Sequence, residues 1–123
     1  MMSNYRQIYN QTRDLVVLEN GKWCASFWCH FKGLMFQRSL PEDQGLIFVR
    51  NSKSVINTTI HMLFCFFPIG VVWVDDELKV VDVKLAKPWR LSYAPKGPAQ
   101  YYIEALPMII ERVSIGDQLR FDN

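Results

Sequence analysis

The longest apolar run of the chain is MLFCFFPIGVVWV, residues 62–74. Aromatic and β-branched side chains dominate it, which is typical of strands in a β-sheet core. A membrane-spanning helix needs about 20 apolar residues, so the run is too short to cross a bilayer. Pro68 divides the run, because proline cannot donate a hydrogen bond within a sheet. The run therefore predicts two core strands and no membrane span.

Short apolar segments separated by turn residues occur on both sides of this run. Asn20-Gly21 is a strong turn dipeptide, and the segments around it, residues 14–18 and 22–28, predict a β-hairpin. Residues 30–40 carry apolar side chains at helical spacing and predict one short amphipathic helix. Residues 87–98 contain three prolines and predict an irregular loop, since each proline lacks a backbone donor.

The whole pattern contains about eight short strands and one or two short helices. Such spacing predicts an all-β fold, either a β-sandwich or a squashed barrel. Residues 14–123 are expected to form a single β domain, and residues 1–13 a polar N-terminal extension that is frayed or loosely docked. A chain of 123 residues is long enough to bury a core without a metal or a disulfide.

The composition excludes a disordered chain, because 50% of the residues are hydrophobic and only 21% are charged. The 14 basic and 12 acidic residues give a net charge of +2. Dedicated nucleic-acid binders usually show a stronger basic bias, so nucleic acid is not favoured as a partner, although it stays open. The charge also gives no indication of a membrane surface, and the oligomeric state is not specified by the sequence.

Cys24, Cys29 and Cys65 are an odd number of cysteines, whereas a secreted disulfide framework usually has an even number. The polar N-terminus lacks the apolar stretch of a signal peptide, so we expect free thiols in a reducing cytoplasm. Cys24 and Cys29 lie five residues apart, an offset that would point them to opposite faces of one strand. Together with His30 they form too small a set for structural zinc, so no metal and no cofactor is predicted.

Several ordered blocks of the sequence resemble the family called domain of unknown function 192. They are KGLMFQRSLP at 32–41 with GLIF at 45–48, IHMLF at 60–64 with FPIGVV at 67–72, KPWR at 87–90 with YIE at 102–104, and IGD at 115–117. The resemblance covers roughly residues 14–121. It implies a compact all-β domain with a short helix at the Gly-Leu-Met-Phe block, and it implies no activity. Relatives usually carry Asp where this chain has Gly70, so a chemistry that needs that carboxylate is lost here or proceeds without it.

The segment between Asp82 and Glu104 contains basic residues and no acidic ones. Aromatic residues alternate with these cations, an arrangement typical of sites that hold single-stranded nucleic acid or an anionic sugar. A simpler reading is a solvated loop in which Trp89 covers the end of the sandwich. We predict a ligand-binding set that comprises Arg38, His61, Trp89, Arg90 and Tyr93.

The favoured function is a non-catalytic binding domain for a small or extended ligand that is anionic or bears rings, such as a nucleotide-like or saccharide ligand. One alternative is an enzyme of unknown reaction, in which Arg38, His61 and Glu104 supply acid–base and anion-holding groups. Arg38 and Glu104 also have a structural reading, a buried salt bridge. Another alternative is a protein-interaction domain that uses the apolar strands at 62–74. An enzyme should place His61 beside a carboxylate in a pocket, whereas a binding domain should show a shallow aromatic surface.

Overall fold

The computed structural model describes residues 4–123, which contain one curled sheet of seven strands. The strands are β1 (Tyr5–Asn10), β2 (Leu15–Cys24), β3 (Gln44–Ser54), β4 (Ile69–Val74), β5 (Val80–Ala86), β6 (Ala99–Ala105) and β7 (Leu119–Asp122). Their spatial order is β5-β4-β6-β3-β2-β1-β7. The β2–β3 pair is parallel and the other pairs are antiparallel. Helix α1 (Phe27–Lys32) and 3-10 turns at Ile56–Thr58 and Pro107–Arg112 complete the fold.

The two outermost strands of the sheet approach each other at one end. A bridge between Lys79 and Gln118 lies there, and the Val80 amide donates a 2.9 Å hydrogen bond to the Asp117 carbonyl. The sheet therefore curls toward a half-barrel. The all-β prediction is confirmed, with seven strands in the described residues.

Both faces of the sheet are apolar, and a different part of the chain packs against each face. In β4, Val72 and Val74 face the turn at Pro107–Arg112, whereas Val71 and Trp73 face α1 and the loop at 59–68. All six residues of β4 are buried, as expected for a central strand that is covered on both sides.

Gly70 lies on the face of β4 that packs against the Pro107–Arg112 turn. A Cβ atom at this position would lie 2.8 Å from Cγ1 of Ile109 and 3.1 Å from Cγ1 of Ile110. In this chain an Asp at position 70 would therefore overlap the two isoleucine side chains. The glycine accommodates this packing.

The predicted hairpin at Asn20-Gly21 is wrong, because β2 runs straight through this dipeptide. β1 pairs with residues on both sides of the dipeptide, and β3 pairs with Asn20 and the residues that follow it. A Cβ atom on Gly21 would lie only 2.8 Å from Cδ1 of Ile47. The glycine is thus explained by close packing and not by a turn.

Two other boundaries differ from the sequence-based expectation. The helix spans Phe27–Lys32 instead of lying within residues 30–40, because Ser26 caps its start and Gly33 ends it with φ +47°. Residues 59–68 form a loop and not a strand. Their inward side chains, such as Met62, cover the sheet, while their backbone groups bond to the loop that follows Ala86.

The N-terminal segment is part of the sheet. Residues 5–10 form β1, which inserts between β2 and β7 and buries Ile8 completely. The expected frayed extension is therefore wrong for residues 5–10, whereas residues 1–3 lie outside the described part of the chain.

Cys24 and Cys29 form a disulfide with a Cα–Cα distance of 5.5 Å, so the prediction of free thiols is wrong for this pair. The strand ends at Cys24 and α1 begins at Phe27, so the two cysteines do not share one regular strand. Cys65 is free and buried. The disulfide also removes the thiol argument for a cytoplasmic location. Among the described residues, no helix has the length and apolar character to cross a membrane.

Candidate functional site

Three loops meet beside the face of the sheet that α1 covers. The Phe36 amide donates a 2.8 Å hydrogen bond to the Phe64 carbonyl, which joins the loop after α1 to the loop at 59–68. Met62 joins that second loop to the third: its carbonyl accepts from the Trp89 amide at 2.8 Å, and its amide donates to the Arg90 carbonyl at 2.7 Å. The three loops therefore form one unit that is held by main-chain hydrogen bonds.

Four aromatic rings lie on the outer side of this unit, and we call them the aromatic platform: Phe36, Phe64, Phe66 and Trp89. Phe36 stacks on Phe64 with ring centroids 5.0 Å apart. Phe64 and Phe66 both contact the Trp89 ring, with centroid distances of 5.2 Å and 5.9 Å. The four residues are between 41% and 62% exposed. The platform is thus a continuous surface of exposed rings.

The backbone of the platform adopts an uncommon conformation. Within residues 4–123, five non-glycine residues have positive φ, and three of them are Phe36 (65°), Phe64 (60°) and Trp89 (67°). Left-handed backbone costs a bulky L-residue about 1–2 kcal/mol. The loop hydrogen bonds hold these residues in place, and such outliers cluster at binding and active sites.

The predicted ligand residues lie on these loops in different roles. Trp89 belongs to the platform, Arg90 is exposed beside it, and Arg38 is exposed two residues beyond Phe36. The Tyr93 hydroxyl accepts a 2.9 Å hydrogen bond from the Lys87 amide, so it supports the loop. His61 is exposed, and its Nδ1 accepts from the Leu63 amide at 3.2 Å.

Asp82 anchors the third loop and was not singled out from the sequence. It is 1% exposed and accepts a 3.1 Å hydrogen bond from the Lys96 amide. Lys84 lies 3.4 Å from the same carboxylate and donates to the Ala94 carbonyl. This side chain therefore links β5 to the loop at 87–98. The available sequence signal was a carboxylate directly between two valines, Val81 and Val83.

A second feature is a cavity of about 140 Å³ beneath the loop at 59–68. Its polar or small lining residues include His30, Gly33, His61, Cys65, Tyr102 and Glu104. Glu104 projects from β6 and is only 7% exposed, and burial raises the pKa of its carboxyl to about 8. Near neutral pH this carboxyl is therefore mostly protonated.

Three other groups of the cavity, Cys65, Tyr102 and His30, are also shifted toward their uncharged forms. Burial, together with Glu104, raises the pKa of the Cys65 thiol to about 11. The same two causes raise the pKa of the Tyr102 hydroxyl. Burial and the nearby Arg50 lower the pKa of His30. Glu104, Cys65, Tyr102 and His30 are thus each shifted toward the uncharged form, and the basic residues Lys32 and Arg50 line the same cavity.

The salt bridge considered for Arg38 and Glu104 is not formed. Arg38 is exposed and Glu104 is buried, and the ion pairs found in residues 4–123 do not include them. His61 and Glu104 do line the same cavity, but Arg38 is not among its lining residues. A depression of about 450 Å³ beside α1 contains none of the predicted ligand residues.

The described residues contain no group of three His, Cys, Asp or Glu side chains that could hold a metal ion. The absence of a structural metal stays a prediction.

The fold and the two features together define a small all-β domain with an aromatic loop platform and a buried carboxyl cavity. Residues 16–121 match the model of the DUF192 family, described as Uncharacterized ACR. The chain belongs to this family, which confirms the resemblance seen in the sequence blocks.

The relatives are themselves uncharacterised. A UPF0127 protein of Thermococcus sibiricus is 34% identical over 117 residues, which is 94% of this chain and 74% of that protein. A UPF0127 protein of Pyrococcus furiosus is 35% identical over 115 residues, which is 92% of this chain and 96% of that protein.

Two crystal structures share the fold. A proposed transcription regulator of Sinorhizobium meliloti has a TM-score of 0.80 at 17% identity, covering 98% of this chain and 97% of that chain. A protein of unknown function from Novosphingobium aromaticivorans has a TM-score of 0.74 at 19% identity, covering 94% and 83%. At these identities the likeness concerns the fold alone.

Proposed function

We propose that this protein is a non-catalytic binding domain whose ligand carries a planar ring or sugar face and an anionic group. The observation that supports this most strongly is the aromatic platform, where exposed rings sit on loops with left-handed backbone at Phe36, Phe64 and Trp89. Single-stranded nucleic acids and sugars bind by stacking on such rings.

The loop structure favours binding by reducing its entropic cost. Main-chain hydrogen bonds tie the three loops together, and Asp82 fixes the third loop to the sheet. A site that is already ordered loses less conformational entropy when a ligand arrives. The exposed Arg90 next to Trp89 offers a planar cation to a phosphate or carboxylate.

The alternatives have less support. Residues 69–74 of the apolar run at 62–74 are buried in β4 and offer no surface to a protein partner, whereas Phe64 and Phe66 of the same run are exposed on the platform. The enzyme hypothesis gains His61 and Glu104 in one cavity, but it lacks Arg38 there. The net charge of +2 is small for a dedicated nucleic-acid binder, so a mononucleotide or an acidic sugar is favoured over a long strand.

The experiment is a fluorescence titration with adenosine monophosphate, glucuronate and a short single-stranded oligothymidylate at low salt. Trp89→Ala and Arg90→Ala should each weaken binding about tenfold or more, as expected for the loss of a stacking or charge-assisted contact. Their melting temperatures should stay unchanged, because both side chains are exposed.

Matched controls remove the same residue classes elsewhere. Trp28 is 74% exposed on α1, and Lys53 forms an exposed ion pair with Asp76, so Trp28→Ala and Lys53→Ala should leave binding intact. The proposal fails if no probe binds, or if binding survives in both Trp89→Ala and Arg90→Ala.

A further inference from the structure

We propose that the cavity in front of Glu104 is a second binding site, separate from the aromatic platform, and that it takes a primary ammonium group. The ammonium belongs either to a small free amine or to a lysine side chain. The cavity volume of about 140 Å³ suits a group of this size. This site does not depend on the function proposed for the platform.

Glu104 is a buried carboxyl without a partner. Its neighbours on the adjacent strands are Leu46 and Val71, which have no polar side-chain group to offer. We find no hydrogen bond or ion pair to this carboxyl from any of residues 4–123. Buried carboxyl groups are normally paired or hydrogen-bonded, because desolvation is costly. A ligand with N–H donors would supply what the protein does not.

Gly33 keeps the space beside the carboxyl open. A Cβ atom at this position would lie 4.0 Å from Oε1 of Glu104 and 3.3 Å from Cζ of Phe48. Any larger side chain would therefore occupy the region next to the carboxyl oxygen. The end of α1 thus leaves room for a small ligand directly at Glu104.

Aromatic faces complete the lining and favour a cation. The Phe48 and Tyr102 rings stack with centroids 4.5 Å apart, and the His30 ring meets Phe48 at 5.4 Å. Both rings and His30 line the cavity together with Glu104. A carboxylate beside aromatic rings is a favourable environment for an ammonium, since the ring faces attract positive charge.

The cations near the cavity do not replace such a ligand. Arg50 is engaged, since its Nε donates a 2.9 Å hydrogen bond to the Asn57 carbonyl. Burial raises the pKa of Glu104, and the ion pairs of residues 4–123 do not include this carboxyl. The titratable or charged groups that line the cavity from the surrounding elements are His30, Lys32, Arg50, His61, Cys65 and Tyr102.

Binding of an ammonium should release a proton. The carboxyl is mostly protonated below its pKa of about 8, and it must ionise to pair with a cation. Affinity should therefore rise up to about tenfold per pH unit below this value and level off above it.

The experiment is isothermal titration calorimetry of the full chain with methylammonium chloride and with a short neutral peptide that contains one lysine. Each titration is run near pH 6.5 and near pH 8.5, in two buffers of different ionisation enthalpy, to count released protons. Glu104→Gln keeps the side-chain size and removes the charge, and it should weaken binding about tenfold or more. Glu42→Gln, at an exposed glutamate, should bind like the wild type.

The outcome with the two probes identifies the source of the ammonium. Binding of methylammonium supports a small free amine, and binding of the peptide alone supports a lysine of a protein partner. The proposal is overturned if neither probe binds, if Glu104→Gln binds equally well, or if no proton is released near pH 6.5. Circular dichroism of Glu104→Gln must match the wild type, so that a loss of binding reports on the site.

Discussion

The side-chain amide of Asn10 donates a 2.8 Å hydrogen bond to the carboxylate of Asp117, and both residues are buried. The same carboxylate accepts from the Ser114 amide at 2.9 Å, and the Asn10 amide also reaches the Arg112 carbonyl at 3.0 Å. The end of the first strand is thus fixed to the turn that precedes the last one. This contact helps to explain why residues 5–10 form a strand of the sheet.

Asn10→Ala should lower the free energy of unfolding by about 1–3 kcal/mol, because it leaves the buried Asp117 without one of its donors. Urea denaturation of the variant and the wild type measures the difference. Asn51→Ala serves as the control, since Asn51 is exposed, and it should change stability by less than about 0.5 kcal/mol. Equal effects of the two substitutions would contradict the assigned role of Asn10.

The pKa of Glu104 is raised from its ordinary value of 4.5 to about 8 in the folded protein. The free energy of unfolding should therefore fall as the pH rises between these two values. Below this window both states hold the proton, whereas within it the unfolded chain loses the proton and the folded chain keeps it. The slope for one group is about 1.4 kcal/mol per pH unit. Denaturation at several pH values should show this component in the wild type and in Glu42→Gln, but not in Glu104→Gln. Parallel profiles for all three proteins would refute the assignment.

Asp82→Ala should loosen the loop that carries Trp89. Removing the buried carboxylate leaves the Lys96 amide without its acceptor and removes the ion pair with Lys84, at a cost of about 3 kcal/mol. Hydrogen exchange of the loop at 87–98 should accelerate, whereas Asp76→Ala on an exposed turn should leave it unchanged. Unaltered exchange in Asp82→Ala would show that the loop is held by other contacts.

Arg38→Ala should leave the melting temperature within about 2 °C of the wild type, because the side chain is exposed and forms no ion pair with Glu104. Any effect of this substitution should appear in ligand binding at the platform. A large loss of stability would restore a structural role for Arg38.

Reduction of the Cys24–Cys29 disulfide should lower the free energy of unfolding by about 2 kcal/mol, since the bond closes a short loop. Thiol titration of the non-reduced, denatured protein should detect Cys65 and neither partner of the disulfide. In the native protein Cys65 should react slowly, because burial and Glu104 raise its pKa to about 11. Fast labelling of three thiols without reductant would show that the disulfide is absent.

The sequence pattern was sufficient where local signals and tertiary packing agree. The β-branched run at 69–74, the proline-rich loop at 87–98 and the turn at Gly116 are all present. The pattern failed where packing decided the structure. Asn20-Gly21 has the chemistry of a turn, but the close approach of Ile47 explains the glycine. Residues 59–68 have the aromatic and aliphatic side chains of a strand. Their backbone nevertheless forms hydrogen bonds with the loop at 87–98, which the composition did not reveal.

The candidate site was only partly predictable for the same reason. Trp89 and Arg90 were identifiable because they are adjacent in a basic segment. Phe36 and Phe64 belong to distant apolar segments, and only the folded chain stacks them at 5.0 Å. Glu104 lacks a polar partner because Leu46 and Val71 lie opposite it on the neighbouring strands. A single sequence does not reveal this strand pairing.

The position of β1 between β2 and β7 has a kinetic consequence. Gln7 pairs with Asp122, so one edge of the first strand is satisfied only by residues near the opposite end of the described chain. Bringing such distant segments together costs loop-closure entropy before any contact compensates it. Proteins dominated by distant pairings refold in milliseconds to seconds, whereas helical bundles of similar size need microseconds to milliseconds. We expect refolding in the slower range, with the docking of β7 on β1 among its last steps.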